Sequence, residues 1–228
     1  MTYNISKLTL IENIQRELSN TIHTIHNHPY IDALEKKQIS KYKLEIFVCE
    51  QYKIIANDKR NFAFMISKTS NDMASELFTD CLNTEINALE KLNIFAEAMN
   101  IDNRKMESYE PLSGCQAYTN YLTKLAVYGS DAEVFTALLI DLPVWGYNCD
   151  KMSSILQKNH GFESNSCVFL DSFASPLPKE FIDKSNELIL SSVNSPYSEK
   201  SIRTSARLIL DYELLFWDTL YKHSINDQ

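Results

Sequence analysis

The sequence predicts an all-α protein of about eight helices, on three observations. Apolar residues recur at steps of three and four along nearly every segment, the period of a single buried helix face. Glycine is scarce, with four residues in 228, which fits neither the tight turns of an all-β fold nor a glycine-rich phosphate loop. Small polar clusters, several with proline, separate the periodic runs.

The elements follow in chain order. Leu8, Ile11, Ile14, Leu18, Ile22 and Ile25 lay one stripe on a first helix, which ends at His28-Pro29 because a residue before proline is driven out of the α region. Ile39-Ser40-Lys41 opens a second helix through Leu44, Phe47, Val48 and Tyr52, followed by a further apolar stretch around 62–66. Polar residues at 70–72 break the chain before a long helix over 73–99. The polar, proline-containing stretch 100–114 reads as a loop. Helices follow over 115–128 and 131–158, divided at Gly129-Ser130-Asp131, with Asp131 as the expected N-cap. Residues 172–178 form a second loop, and two last helices over 179–193 and 198–223 flank Asn194-Ser195-Pro196. No repeat or long linker divides the chain, so residues 1–228 read as one domain.

Composition narrows the function. The net charge is −8 and the pI about 5.2; with no basic stripe to release counterions, nucleic acid is an unsuitable partner. Five cysteines stand singly at 49, 81, 115, 149 and 167, an odd set without a C-x-x-C pair, which suits a reducing cytosol. The first residues lack the basic and apolar blocks of a signal peptide, and no run reaches the roughly 20 apolar residues that span a bilayer. The expectation is a cytoplasmic protein without a membrane partner.

Two acids stand where a helix should be apolar. Glu213 shares a face with Ile209, Leu210, Phe216 and Trp217, and Asp141 sits among Ala137, Leu138, Val144 and Trp145. An ionised carboxylate is seldom buried without a partner, so each needs a proton, a donor or a ligand. A structural tyrosine or backbone donor would satisfy either acid. The polar-tipped aromatics nearby, Tyr52, Tyr118, Trp145, Tyr147 and Tyr212, instead suggest a pocket for a flat heterocycle, whose ring nitrogens or exocyclic amines the acids would bind.

Other chemistries fit less well. His23-x-x-His26-x-His28 has the spacing of a helix-face metal pair, but no carboxylate or cysteine completes a ligand set, and a surface cluster at a helix end is the simpler reading. Glu85 lies on an apolar face with Cys81, Leu82, Ala88 and Leu89, yet its i+3 neighbour is Ala88 where a di-iron bundle needs histidine. No G-x-S-x-G elbow supports a serine hydrolase. Neither metal nor cofactor is expected.

Four segments, in order, carry a family resemblance: His28-Pro29-Tyr30; Ala117-Tyr118-Thr119; Glu133 through Met152 with Ala137-Leu138-Leu139 inside; and Tyr212-Glu213-x-x-Phe216-Trp217. They resemble the TenA family (thiaminase II, or aminopyrimidine aminohydrolase), whose fold is heme-oxygenase-like. The resemblance implies hydrolysis of an aminopyrimidine or a thiamin-derived compound in thiamin salvage. It implies Glu213 as the proton-transfer acid, Tyr118 and Tyr52 as pocket tyrosines, and a homodimer or homotetramer.

The departures shape the expected mechanism. The family's nucleophilic cysteine falls on Asp141 in a gapless match, and a slide that puts Pro143 under the family's proline puts Val144 there instead. The family's pyrimidine-binding aspartate falls on Cys49, with Glu50 adjacent, and a later pocket tyrosine falls on Phe173. The chain is therefore closer to the branch without the cysteine. A thiolate would add covalently to the ring, whereas a carboxylate pair works by general acid/base chemistry, Glu213 protonating the ring and Asp141 activating water or anchoring the amine. One alternative is a non-catalytic relative that binds a small aromatic heterocycle. Another is heme binding through His23 or His26, against which the four glycines stand isolated rather than clustered in a distal helix.

Overall fold

The computed structural model describes residues 9–225, and Leu8 of the expected first stripe lies outside them. Eleven α-helices and one short 3-10 turn make up the described chain, without a strand. The first stripe forms α1 (Thr9–Glu17) and α2 (Ser19–His26), which bend at Leu18. Buried His28 caps α3 (Pro29–Glu35), its Nδ1 accepting the Tyr30 amide at 3.2 Å. This corrects its assignment to a surface cluster. Ser40 caps α4 (Lys41–Lys68), which runs straight through the 62–66 stretch because no glycine or proline interrupts it.

Asn71 caps α5 (Asp72–Ala98), antiparallel to α4. The expected loop at 100–114 contains α6 (Asn103–Ser108), started by Asp102 accepting the Lys105 amide at 2.9 Å. After α7 (Ser113–Tyr128), the N-cap of α8 (Asp131–His160) is Ser130 and not Asp131. Ser130 Oγ accepts the Glu133 amide at 3.3 Å while Glu133 Oε2 accepts the Ser130 amide at 2.9 Å, a reciprocal capping box. Gly161, at φ 72°, ends that helix in the left-handed conformation that favours glycine. Next, α9 (Val168–Ala174) takes up part of the second expected loop, and α10 (Lys179–Ser192) and α11 (Pro196–Ile225) complete the chain.

One apolar core runs through the bundle, with Trp217, Tyr30, Phe47, Phe78, Phe95, Phe135 and Phe169 fully buried. Helix α8 packs against α9, α10 and α11, while α4 packs against α5 and α7. The four long helices, at 27 to 30 residues, each extend roughly 40–45 Å. The site lies where they converge.

Candidate active site

Six helices bring residues to one inner cavity. Gln51, Ile54, Ile55 and Asp58 come from α4, Glu85 from α5 and Tyr118 from α7; Asp141, Leu142 and Trp145 come from α8, Phe173 from α9, and Glu213 and Phe216 from α11. Its volume of about 60 Å³ holds roughly four to six waters, the bulk of one substituted six-membered ring. Asp58, Glu85, Tyr118, Leu142 and Phe173 also line a larger outer cleft of about 750 Å³.

The two anomalous acids of the sequence sit inside this cavity, 1 % and 2 % exposed at Asp141 and Glu213. Each has one oxygen held by a neutral donor. Tyr118 Oη donates to Asp141 Oδ2 at 2.8 Å, and Trp217 Nε1 donates to Glu213 Oε1 at 3.1 Å. Asp141 Oδ1 and Glu213 Oε2 are buried without a donor. Desolvation raises the pKa of both acids, Asp141 to about 7 and Glu213 well above the carboxylate range, with the negative charge of Asp141 raising Glu213 further. The interaction between the two acids lowers Asp141 and raises Glu213, so it favours the proton on Glu213 and the charge on Asp141.

Aromatic rings wall the pair. Trp145 meets Phe173 edge-on at 6.1 Å and Phe216 at 5.9 Å, and stacks at 6.1 Å on Phe47 behind the cavity wall. Gly146 lets α8 approach α9, since a Cβ there would collide with the Phe173 carbonyl oxygen. Pro143 removes an amide donor one turn after Leu139, in the middle of α8.

Asp141, Glu213, Tyr118, Trp145 and Phe173 therefore meet in one place, but the other expected site residues do not join them. Tyr147 is 44 % exposed and lines the outer cleft, its ring 4.0 Å from His26. Tyr52 and Cys49 line neither space. Glu50 is fully buried elsewhere, accepting from Tyr109 Oη at 2.8 Å, the Leu112 amide at 2.7 Å and Gln116 Nε2 at 2.5 Å. It ties the 109–116 segment to α4. The inward face of α4 is Gln51, Ile54, Ile55 and Asp58, a 3-4 spacing that starts one residue beyond Glu50.

Asp58 was missed because the expected second-helix stripe stops at Tyr52; the period continued to 58 would have found it. No cysteine or histidine lines the inner cavity. Cys149 is buried, with desolvation raising its thiol pKa well above the usual range. No described group of histidines, cysteines and carboxylates could hold a metal ion, and exposed His23 lies outside both spaces with His26.

The TENA/THI-4/PQQC family model matches residues 15–223. An aminopyrimidine aminohydrolase from Helicobacter pylori is 23% identical over 221 residues, covering 86% of this chain and 91% of that protein. Another, from Halalkalibacterium halodurans, is 25% identical over 115 residues, and that match spans only about half of either protein, 50% and 51%. Among solved structures, a domain of unknown function with a heme oxygenase-like fold from Shewanella denitrificans superposes with a TM-score of 0.78 at 14% identity, covering 92% of this chain and 91% of that one. No helix among the described residues is long and apolar enough to cross a membrane.

Proposed function

Because this chain belongs to the TENA/THI-4/PQQC family, we propose that it is a cysteine-independent hydrolase of an aminopyrimidine or thiamin-derived compound, acting in thiamin salvage. One observation carries this reading. Two buried acids, Asp141 and Glu213, each present an oxygen without a donor to an aromatic-walled cavity the size of one ring. The pair stores one proton and one negative charge, the two forms that general acid and general base need.

A 4-amino-5-aminomethylpyrimidine enters with its side-chain amine protonated. Glu213 protonates a ring nitrogen while Asp141 takes a proton from water. The C–O bond forms at the side-chain methylene carbon, the bond from that carbon to the ammonium nitrogen breaks, and its electron pair leaves with ammonia. The ring then returns its proton to Glu213, and Asp141 releases its own to ammonia. Tyr118 steadies Asp141, and Trp145, Phe173 and Phe216 exclude bulk water around the ring.

The test is product analysis with purified protein, supplied separately with 4-amino-5-aminomethyl-2-methylpyrimidine and thiamin. Hydroxymethylpyrimidine that forms with the wild type and not with Glu213→Gln supports the hydrolase. The absence of a thiol from the cavity favours a second reading, a pocket that binds the heterocycle without turnover. Thermal stabilisation by the pyrimidine with no product would select it. We also place the protein in the cytosol, since its five cysteines are free and buried. Assembly as a homodimer or homotetramer is proposed on the family resemblance, and sedimentation would test it.

A further inference from the structure

The wall shared by the inner cavity and the outer cleft carries two carboxylates that the proposed reaction does not use, Asp58 and Glu85. Asp58 is 4 % exposed. Asn57 Nδ2 donates to Thr119 Oγ1 at 2.8 Å, which turns the Thr119 hydroxyl proton toward Asp58 Oδ1, and Asn61 Nδ2 reaches that same oxygen at 3.2 Å. Both donors converge on Oδ1, so a ligand would meet Oδ2. Glu85, across from it on α5, stays partly exposed to the cleft.

Four carboxylates thus line the inner cavity without a lysine or arginine among its lining residues. Two of them, Asp141 and Glu213, are more than nine-tenths buried and retain an oxygen without a donor. The outer cleft adds Glu76, Asp80, Asp150 and Glu180, and its one lining lysine, Lys184, is held by Glu76 at 2.9 Å and Glu180 at 2.8 Å. Lys59 on α4 and Asp141 are the other charged groups that Glu85 and Asp58 feel. Burial raises the pKa of Asp58 to about 7 and that of Glu85 well above the carboxylate range, so without a cation these acids tend to hold protons. A cationic nitrogen would favour their ionised forms and pair with them, which a neutral or anionic ligand cannot do.

We propose that Asp58 and Glu85 form a gateway that recognises a cationic nitrogen on the substituent of a ring seated in the inner cavity. The inference rests on the function proposed above only in placing a ring between Trp145, Phe173 and Phe216. The inner cavity holds about one ring, so a substituent has to cross the shared wall. There it passes Asp58 and Glu85 before reaching the acidic cleft.

Two matched pairs of probes test the gateway by calorimetry near pH 7. One is 4-amino-5-aminomethyl-2-methylpyrimidine against its 5-hydroxymethyl analogue. The other is benzylamine against benzyl alcohol, which share a ring and lack the pyrimidine nitrogens. The wild type should prefer the amine of each pair by about tenfold or more, the worth of one charge-assisted hydrogen bond. Asp58→Asn and, independently, Glu85→Gln should reduce that preference to less than about threefold and leave the alcohols unchanged. Glu85 is partly exposed, so its variant keeps the test open if Asp58→Asn folds poorly. Equal affinity for amine and alcohol in the wild type, or a preference that survives both substitutions, would overturn the gateway even if the pyrimidine is hydrolysed. A preference that follows Asp58 and Glu85 without any pyrimidine turnover would sustain it and remove the hydrolase reading instead.

Discussion

Trp217 donates its indole N–H to Glu213 Oε1 at 3.1 Å from one turn further along the same helix. The bond favours ionised Glu213 and opposes the desolvation and the Asp141 charge that push its pKa up. Trp217→Phe keeps a ring at the position and removes the donor, so Glu213 should hold its proton to still higher pH. The limb of the pH–rate profile set by the shared proton should move upward by about half a unit to one unit, the equivalent of a typical net hydrogen bond. An unmoved profile for aminopyrimidine hydrolysis would show that Trp217 only fills space.

Burying acids with raised pKa values should also appear in stability. Asp141 titrates at about 7 in the folded chain against 3.8 for an unperturbed side chain. Between those values the folded state binds the extra proton, so stability falls as pH rises from about 4 to about 7. Burial lowers the pKa of His28 and His26, and these residues contribute the opposite sign near 6.5. The variant difference separates the Asp141–Glu213 pair from the histidines. Urea titrations at about pH 5.5 and pH 8 should show wild type losing stability at the higher pH, with Asp141→Asn losing less by up to about 1.4 kcal/mol per pH unit for one proton. Identical slopes would mean that Asp141 is ionised throughout.

Much of this was legible in the sequence. Asp141 and Glu213 interrupt apolar helix faces, and the 3.6 period alone puts both acids inward. Neighbouring α4 was harder to read, because Cys49, Glu50 and Gln51 are 100° apart around a helix and an error of one residue selects a different face. Glu50 is an acid on a largely apolar helix, as Asp141 is, but its donors Tyr109, Leu112 and Gln116 arrive from about 60 residues away. Periodicity carries no information about partners that distant. The same limit hid the Asp58–Glu85 wall, which exists only because α4 and α5 pack against each other.

Gly146 sets the position of Phe173. A methyl group at 146 would run into the Phe173 carbonyl oxygen, and backbone cannot rotate away as a side-chain tip can. Gly146→Ala should cost about 1–3 kcal/mol by overpacking and push α9 off α8. A rise in KM beyond the effect on kcat would accompany it, since Phe173 walls the ring site. Unchanged chemical denaturation would show that α9 yields freely.

Glu50 and Gln51 separate stability from ligand contact at adjacent positions. Glu50 is wholly buried, and its acceptor oxygens hold three donors from one segment. Glu50→Ala strands those donors and should destabilise the fold by about 3 kcal/mol or more, with KM unchanged in whatever protein remains folded. Gln51 makes no such cross-ties and, though buried, faces the cavity, so Gln51→Ala should lower urea stability far less than Glu50→Ala while raising KM several-fold. If Glu50→Ala instead raised KM at full stability, the inward face of α4 would begin at Glu50, next to the Cys49 position that the family resemblance implied.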